Sequence, residues 1–198
     1  MKIQVETPLS IDFIKKLSIG DEVYLTGEII TIRDRASSRA IEYKIKGKPI
    51  PAELNESIIY HCGPIVKKID EEWNVVAAGP TTSIRMENLT PQLIKMFNIR
   101  MIIGKGGMGI ETTKALKEHC GVYCAFTGGA GVAAAKMIKK IVKVEWLDLG
   151  IPEALWVFKV ENFGPLIVAI DSKGNNLYEE IKTKINENLK ILRSEKID

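Results

Sequence analysis

The sequence predicts one mixed α/β domain over residues 1–198, with a β-rich front half followed by a half in which strands and helices alternate. In the front half, apolar and polar residues alternate along residues 21–34, as is typical of half-buried strands. In the back half, residues 100–141 read as strand, glycine loop, helix, strand and helix. This βαβα order favours a segment of parallel sheet that is covered by helices.

Local signals predict the elements of the front half. Residues 8–17 carry a Ser or Asp cap before an apolar stripe, which predicts a short helix. Residues 21–34 predict antiparallel strands broken at Gly27, and a short polar segment follows them. Residues 58–62 then predict a buried strand, and residues 75–81 predict another.

In the back half, Thr90 and Pro91 predict a helix start, with the threonine as the cap and the proline at the first helical position. The elements that follow are a strand over 100–104, a helix over 111–119, a strand over 121–128, a helix over 128–141, strands over 155–163 and 166–174, a turn at 174–176 and a C-terminal charged helix.

The composition is that of an ordinary soluble globular protein, with 45% hydrophobic and 27% charged residues and a net charge of +3. Lysines at 136–143 alternate with apolar residues, which predicts the solvated face of an amphipathic helix rather than a nucleic-acid patch. No apolar run approaches the ~18 residues of a membrane span, and the N-terminus is too polar for a signal peptide. We therefore expect a protein that binds neither nucleic acid nor membrane.

The three cysteines, Cys62, Cys120 and Cys124, are odd in number and lack CxxC or zinc-ribbon spacing. Reduced thiols in a cytoplasmic protein are the simplest interpretation. We interpret Cys120 and Cys124 as structural thiols rather than a metal pair, because Gly121 between them ends the helix that they would share. The chain is predicted to hold no metal ion of its own.

The most informative segment covers residues 79–109. It combines flexible glycines with hydroxyl groups and cations: Thr81, Thr82, Ser83, Arg85 and Lys105. Backbone N–H groups and fixed positive charges of this kind converge on carboxylate or phosphate oxygens. Arg33, at the end of an earlier strand, adds a further cation. Two cationic clamps set apart, with arginine preferred for bidentate contact, suit a dicarboxylate.

The glycine loop in this segment formally matches a dinucleotide fingerprint, since Gly104, Gly106 and Gly109 spell G-x-G-x-x-G between a strand and a helix. That motif expects an acidic residue about twenty positions on, and residues 125–129 carry none. A Walker loop also fails, because Lys105 is not followed by Ser or Thr. If the glycine loop is only a tight turn between a strand and a helix, the presence of Lys105 is unexplained. If the loop binds a ligand, the N-terminus of the helix and Lys105 together suit one carboxylate.

These motifs recur, in the same order, in one family. The residues that carry the resemblance are Arg33-Asp34, His61-Cys62-Gly63-Pro64, residues 79–86, residues 104–108, residues 127–130, residues 153–156 and residues 170–174. On these motifs, which span nearly the whole chain, it resembles the C-terminal domain of class I fumarases. It is equally similar to the separate β subunit of two-subunit fumarate hydratases and L-tartrate dehydratases.

The resemblance implies a swivelling β/β/α domain and a hydro-lyase that reversibly hydrates fumarate to L-malate, or a related L-tartrate dehydratase. In this family one iron of a [4Fe–4S] cluster binds the substrate hydroxyl as a Lewis acid. The cluster cysteines belong to the other domain, which implies a cluster-bearing α subunit as partner and an active site at the interface of a hetero-oligomer. A free-standing, non-catalytic dicarboxylate-binding regulatory module is the alternative from a different class of function.

Carried over residue by residue, the resemblance implies that Arg33, Arg85 and Lys105 bind the substrate carboxylates. Thr81 matches the threonine proposed in the family as the base that exchanges the C3 proton, and Thr82 beside it contacts the substrate. A threonine hydroxyl is a poor base unless neighbouring cations stabilise its alkoxide.

One departure from the family concerns the segment after the first long strand. The family reads Arg-Asp-x-Ala-His, and here Ser37 stands where the histidine is expected. Arg35 and Arg39 compete with Arg33 for the substrate-binding assignment. His61 is interpreted as a structural residue rather than a catalyst. The sequence leaves open whether the substrate is fumarate, tartrate or a related dicarboxylate.

Overall fold

A seven-stranded mixed sheet forms the centre of the fold, and a two-stranded sheet lies beside it. The computed structural model describes residues 2–50 and 53–194. The strands are β1 (Lys2–Glu6), β2 (Glu22–Thr31), β3 (Ile58–Tyr60), β4 (Ile65–Ile69), β5 (Glu72–Ala77), β6 (Met101–Gly104), β7 (Val122–Ala125), β8 (Ile138–Glu145) and β9 (Leu155–Ile170). The helices are α1 (Ile11–Ile14), α2 (Asp34–Ile45), α3 (Thr90–Phe97), α4 (Ile110–Glu118), α5 (Gly131–Met137) and α6 (Leu177–Ser194). Short 3₁₀ helices cover Ser83–Met86, Leu147–Leu149 and Ile151–Glu153.

The large sheet has the strand order β1-β2-β3-β6-β7-β9-β8. The pairs from β1 through β7 are parallel, which confirms the parallel segment predicted from the βαβα pattern. Strand β9 runs antiparallel and pairs with β7, with β8 and also with β2. Because β9 bonds to both β2 and β7, the strands β2, β3, β6, β7 and β9 close into a ring. The predicted α/β class is therefore confirmed.

Side chains alternate between two apolar clusters on opposite faces of the central strands. In β6, Met101 and Ile103 belong to one cluster and Ile102 to the other. The same alternation holds in β3, where Tyr60 and Ile59 face opposite ways. Strands that are covered on both faces read as continuous apolar runs rather than alternating ones. Among the described residues, no helix combines the length and apolar character needed to cross a membrane.

The strand predicted to break at Gly27 is continuous. Gly27 has a φ of +127°, and a Cβ there would lie 1.9 Å from Thr7 Oγ1, so glycine allows close approach of the neighbouring chain. The sequence predicted that this strand pairs in antiparallel fashion. That prediction is confirmed for the pairing of β2 with β9, and it is wrong for its pairings with β1 and β3, which are parallel. Alternation reports that one face of a strand is buried, but it does not report the direction of the neighbouring strands.

Three other expectations differ from the structure. The segment after β2, for which the sequence indicated only a short polar stretch, is helix α2, whose buried face consists mostly of small residues such as Ala36 and Ala40. Thr90 is the first residue of α3 rather than its cap, and its Oγ1 donates to Met86 O at 2.9 Å. The two predicted C-terminal strands are one strand, β9, in which Gly164 passes close to the backbone of β2.

The lysine cluster is also placed differently. Lys136 lies in α5, but Lys139, Lys140 and Lys143 lie in β8, at the edge of the large sheet. Lysines on an edge strand discourage pairing with another chain. The mixed pattern of lysines and apolar residues therefore belongs to an edge strand, and not to a helix face.

Candidate functional site

The predicted site residues meet at the carboxyl ends of the parallel strands. Arg33 follows β2, His61 follows β3 and Lys105 follows β6. The last residues of these strands are in register, since Thr31 pairs with Tyr60 in the parallel ladder and the ladders continue through β6 and β7. In α/β folds with parallel strands, both closed and open, ligands bind at the carboxyl ends of the strands.

The loop that carries Thr81 and Thr82 lies across these strand ends. The Thr81 N–H donates to His61 O at 2.6 Å, and the Ser83 N–H donates to Lys105 O at 2.8 Å. The Lys105 N–H in turn donates to Thr81 O at 3.3 Å. Thr82 and Lys105 thereby form an isolated parallel bridge. Backbone hydrogen bonds therefore fix both threonines next to the lysine.

A buried polar group supports this loop from below. Ser83 Oγ lies 2.9 Å from His61 Nδ1 and accepts a hydrogen bond from the Tyr123 hydroxyl at 3.2 Å. All three side chains are buried. Gly104 passes so close that a Cβ there would lie 1.9 Å from Ser83 Oγ. We expected the Ser83 hydroxyl, with those of Thr81 and Thr82, to contribute to ligand binding. In the structure it points into the protein instead.

Burial lowers the pKa of His61 to about 3. The imidazole is therefore neutral at neutral pH, and its Nε2 has no hydrogen-bond partner among the described residues. A neutral ring held under the loop agrees with the interpretation of His61 as structural. Burial also raises the pKa of the Tyr123 hydroxyl above its ordinary value.

Two of the predicted carboxylate-binding arginines lie around one aspartate. Arg85 Nη2 donates to Asp34 Oδ2 at 3.1 Å, and Arg33 Nη2 lies 4.0 Å from the same oxygen. Arg33 Nε also lies 3.2 Å from Glu153 Oε1. The structure therefore brings Arg33 and Arg85 together, and it shows two carboxylates in contact with them.

Arg35 and Arg39 are directed elsewhere. The Arg35 side chain donates to Leu149 O at 2.8 Å. Arg39 makes a bidentate pair with the Asp148 carboxylate at 2.8 and 2.6 Å. Both contacts lie on the 147–149 turn, so Arg33 is the arginine of this segment that faces Arg85.

The helix that follows the glycine loop does not offer a free N-terminus. The Glu87 carboxylate accepts hydrogen bonds from the Gly109 N–H at 2.8 Å and the Thr112 N–H at 3.0 Å. A side-chain carboxylate thus caps α4, as the helix dipole favours. At this helix end, where Lys105 was expected to act together with backbone N–H groups on a ligand carboxylate, the carboxylate of Glu87 is bound instead. The Lys105 stem crosses Gly128, where a Cβ would lie 3.2 Å from Lys105 Cδ.

Several residues of the site were not found from the sequence. Glu87 lies in none of the motifs that carry the resemblance, and Glu153 lies in one, at residues 153–156, without a role assigned to it. A glutamate carries no signal in the sequence that it pairs with a given arginine or helix end. Gly63 lies in a motif that was noticed, and a Cβ there would lie 2.5 Å from Arg33 Nη1. Ser37 is buried, and its Oγ has no hydrogen-bond partner among the described residues.

The cysteines of this chain do not fit an iron–sulfur cluster. Cys62 and Cys124 are buried, and burial raises the pKa of each thiol to about 12, whereas cluster ligands are thiolates. Cys120 follows α4 and is partly exposed. Within residues 2–50 and 53–194, no group of three or more His, Cys, Asp or Glu side chains is placed to hold a metal ion.

Two arginines, a lysine and two threonines lie on segments at the carboxyl ends of parallel strands, and this arrangement defines an α/β protein with a cationic candidate site. Comparison with known families is consistent with that class. The family model described as fumarase C-terminus matches residues 1–181. The chain belongs to this family, which includes L-tartrate dehydratase β subunits and class I fumarate hydratases.

Named relatives cover most of the chain. A protein of Methanocaldococcus jannaschii, provisionally named L(+)-tartrate dehydratase subunit beta, is 49% identical over 177 residues, which are 89% of this chain and 91% of that protein. The L(+)-tartrate dehydratase subunit beta of Escherichia coli K12 is 42% identical over 182 residues, 92% of this chain and 89% of that protein. A Geobacillus stearothermophilus protein, provisionally named fumarate hydratase class I, is 43% identical over 188 residues, 94% of this chain and 35% of that protein.

Proposed function

We propose that this chain is the β subunit of an iron–sulfur-dependent hydro-lyase that reversibly hydrates fumarate to L-malate. It supplies carboxylate-binding residues and a base, and it is active with a cluster-bearing α subunit. The observation that carries the proposal is the arrangement of Arg33 and Arg85 around one carboxylate oxygen, that of Asp34. Guanidinium groups placed in this way suit a ligand that carries carboxylates.

The proposed roles follow from the charges and positions of the side chains. Arg33 and Arg85 bind one end of the dicarboxylate, and Lys105, which follows β6, two strands along from β2, binds the other. Thr81 exchanges the C3 proton of the substrate, and Thr82 contacts the substrate beside it. The bridge between Thr82 and Lys105 joins the backbone of the threonine loop to the residue that carries the lysine cation, and we propose that the ammonium group reaches the threonine hydroxyls when substrate is bound. Such a cation stabilises an alkoxide and makes a weak base stronger.

The cluster is proposed to belong to the α subunit. Cys62 and Cys124 are buried thiols whose pKa values are raised to about 12, and this supports a cluster that is held by the partner. Large apolar side chains stand exposed next to the site segments: Ile84 at 46%, Ile110 at 62%, Val132 at 61% and Ile151 at 38%. Apolar residues that surround a polar site favour a partner subunit that covers it. The names of two relatives as a subunit beta support the same partner.

L-tartrate is the second candidate substrate. One observation favours it: the relatives of matching length, at 49% and 42% identity, both carry a tartrate dehydratase name. Tartrate and malate share two carboxylates and a hydroxyl, so the same arginines and lysine serve both. A dicarboxylate-binding module without catalysis is the remaining alternative, and it predicts binding by this chain alone.

The test is anaerobic turnover of fumarate, L-malate and both tartrates by this chain alone and after mixing with a reconstituted α subunit. We expect turnover only in the mixture, and the substrate with the highest kcat/KM identifies the reaction. An inactive mixture, together with tight dicarboxylate binding by this chain alone, would replace the hydro-lyase with a binding module.

A further inference from the structure

Arg33 is held on two sides by parts of the chain to which no role has been assigned. We infer that Glu153 is a positioning residue, which fixes the Arg33 guanidinium in the orientation that receives a substrate carboxylate. The inference rests on the proposed function, because it takes Arg33 as a substrate-binding residue. It adds that the 3₁₀ turn before β9 is part of the site.

The first observation is the pair that Glu153 makes. Its Oε1 lies 3.2 Å from Arg33 Nε, and its Oε2 accepts a hydrogen bond from the Arg35 N–H at 3.0 Å. Arg33 Nε is buried and its N–H is not aimed at Oε1, so the attraction between the two side chains is electrostatic. Their side chains are only 21% and 15% exposed, and solvent therefore screens this pair less than a surface pair.

The second observation is the contact on the other edge of the guanidinium. A Cβ at Gly63 would lie 2.5 Å from Arg33 Nη1 and 2.7 Å from Pro152 O. Glycine at this position therefore lets the arginine pack against the backbone of β3's exit loop and of the 151–153 turn. With Glu153 at Nε and Gly63 at Nη1, the guanidinium is confined from both sides.

The third observation is that Glu153 itself is firmly placed. The Glu153 N–H donates to Gly150 O at 2.9 Å within its turn. The indole N–H of Trp156, a fully buried side chain, donates to Ile151 O at 2.9 Å and anchors the turn to the core. The carboxylate that orients Arg33 is thus attached to the start of the longest strand. A rigid support of this kind lowers the entropy that a flexible arginine loses on binding.

Glu153→Gln is the sharpest variant, because the amide oxygen still accepts from the Arg35 N–H while the charge beside Arg33 is lost. In the active complex we expect KM for the dicarboxylate to rise about tenfold with kcat changed less than about threefold, since ground-state binding is what weakens. The matched control is Asp148→Asn. It also removes the charge of a carboxylate that pairs with an arginine, but this arginine is Arg39 of α2. It should leave KM unchanged, and both variants should melt within about 2 °C of the wild type.

A double-mutant cycle separates positioning from a general structural effect. In an Arg33→Ala background, Glu153→Gln should have no further effect on KM, because the side chain that it positions is gone. Full additivity of the two changes, or an unchanged KM in Glu153→Gln within an active complex, overturns the inference and leaves the proposed hydro-lyase intact.

A measurement that needs no turnover uses the full chain alone. The ¹⁵Nε–Hε NMR signal of Arg33, assigned by its loss in Arg33→Lys, should exchange slowly with water because Nε is buried. Glu153→Gln should shift it and speed its exchange at least tenfold, while Asp148→Asn should not. An inactive wild-type complex would refute the proposed function, and an unchanged Arg33 signal would refute the positioning role.

Discussion

His61 Nδ1 and Ser83 Oγ lie 2.9 Å apart in the buried layer beneath the Thr81 loop. One residue follows β3, and the other begins the 3₁₀ helix that carries Arg85. Their hydrogen bond therefore ties the threonine loop to the parallel sheet at a point that solvent does not reach. Loop residues that bind ligands depend on such rigid supports.

Removing the hydroxyl of this pair is the first prediction. Ser83→Ala leaves the buried His61 and Tyr123 groups without their shared partner, and it should lower the free energy of unfolding by about 1–3 kcal/mol. Urea unfolding of the isolated chain measures this. The matched control is Ser38→Ala on the exposed face of α2, which should change stability by less than about 0.5 kcal/mol. Equal effects of the two variants would mean that the buried pair does not support the loop.

Adding a methyl group opposite Ser83 is the second prediction. In Gly104→Ala the new Cβ would lie 1.9 Å from Ser83 Oγ, so the serine or the strand end has to move. Overpacking of this kind costs about 1–3 kcal/mol. Gly129→Ala is the matched control, because a Cβ there meets nothing within 4 Å. Thermal unfolding of both variants, with wild-type stability expected only for the control, tests the close approach.

The sequence predicts the elements with strong periodicity and the residues with strong local motifs. Strand β6 and helix α4 follow from the βαβα order of residues 100–141. The parallel pairing of β2 with β3, which puts Arg33 at the same sheet edge as Lys105, does not follow from it, because residues 21–34 were expected to form antiparallel strands. Helix α2 is missed because its buried face is built mainly from small residues, which leave little periodic signal.

The contacts between distant segments are beyond the sequence. Nothing near Glu87 indicates that it caps a helix that begins at Ile110, and nothing near Glu153 indicates that it faces Arg33. Such pairs depend on how the strands of the closed ring bring chain segments together. The closure of β9 on β2, which brings the 151–153 turn to Arg33, is a tertiary property of this kind.

Acid sensitivity is the third prediction. Burial lowers the pKa of His61 to about 3, whereas an unfolded histidine titrates near 6.5. Below about pH 6.5 the unfolded chain binds a proton at this ring that the folded chain does not bind. The free energy of unfolding should therefore fall by up to about 1.4 kcal/mol per pH unit as the pH drops toward 3, from this residue alone. Above pH 6.5 the residue adds no slope.

The measurement is urea unfolding between pH 4 and 7 for the wild type and for His61→Asn, whose amide does not titrate. The carboxylates contribute equally to both proteins, so the difference between the two curves isolates His61. We expect His61→Asn to be less stable than the wild type at pH 7. Between pH 7 and pH 4 its free energy of unfolding should fall less than that of the wild type. Parallel curves would show that His61 is not held in its neutral form.

The fourth prediction concerns the arginine clamp. Arg85→Ala should lower kcat/KM of the reconstituted complex by tens- to several hundred-fold, or about 2–4 kcal/mol, because a charged contact with the reacting substrate is lost. Arg85 pairs with Asp34 at the surface, so the fold should be retained. Arg39→Ala removes a similar charge that points to Asp148 and should leave kcat/KM within about twofold. Near-normal efficiency of Arg85→Ala would refute the clamp.

The fifth prediction assigns the proton-transfer step to Thr81. Its backbone N–H donates to His61 O, and the backbone bridge between Thr82 and Lys105 lies next to it, so the loop that carries the hydroxyl has a defined place. Thr81→Ala should slow exchange of the malate C3 proton with deuterated water by about 10²–10⁴-fold, as expected for loss of a general base. Thr81→Ser keeps the hydroxyl and should retain a large part of the rate. Because exchange at C3 is followed directly by NMR, slow product release does not hide the effect, and an unchanged exchange rate in Thr81→Ala would move the base to another residue.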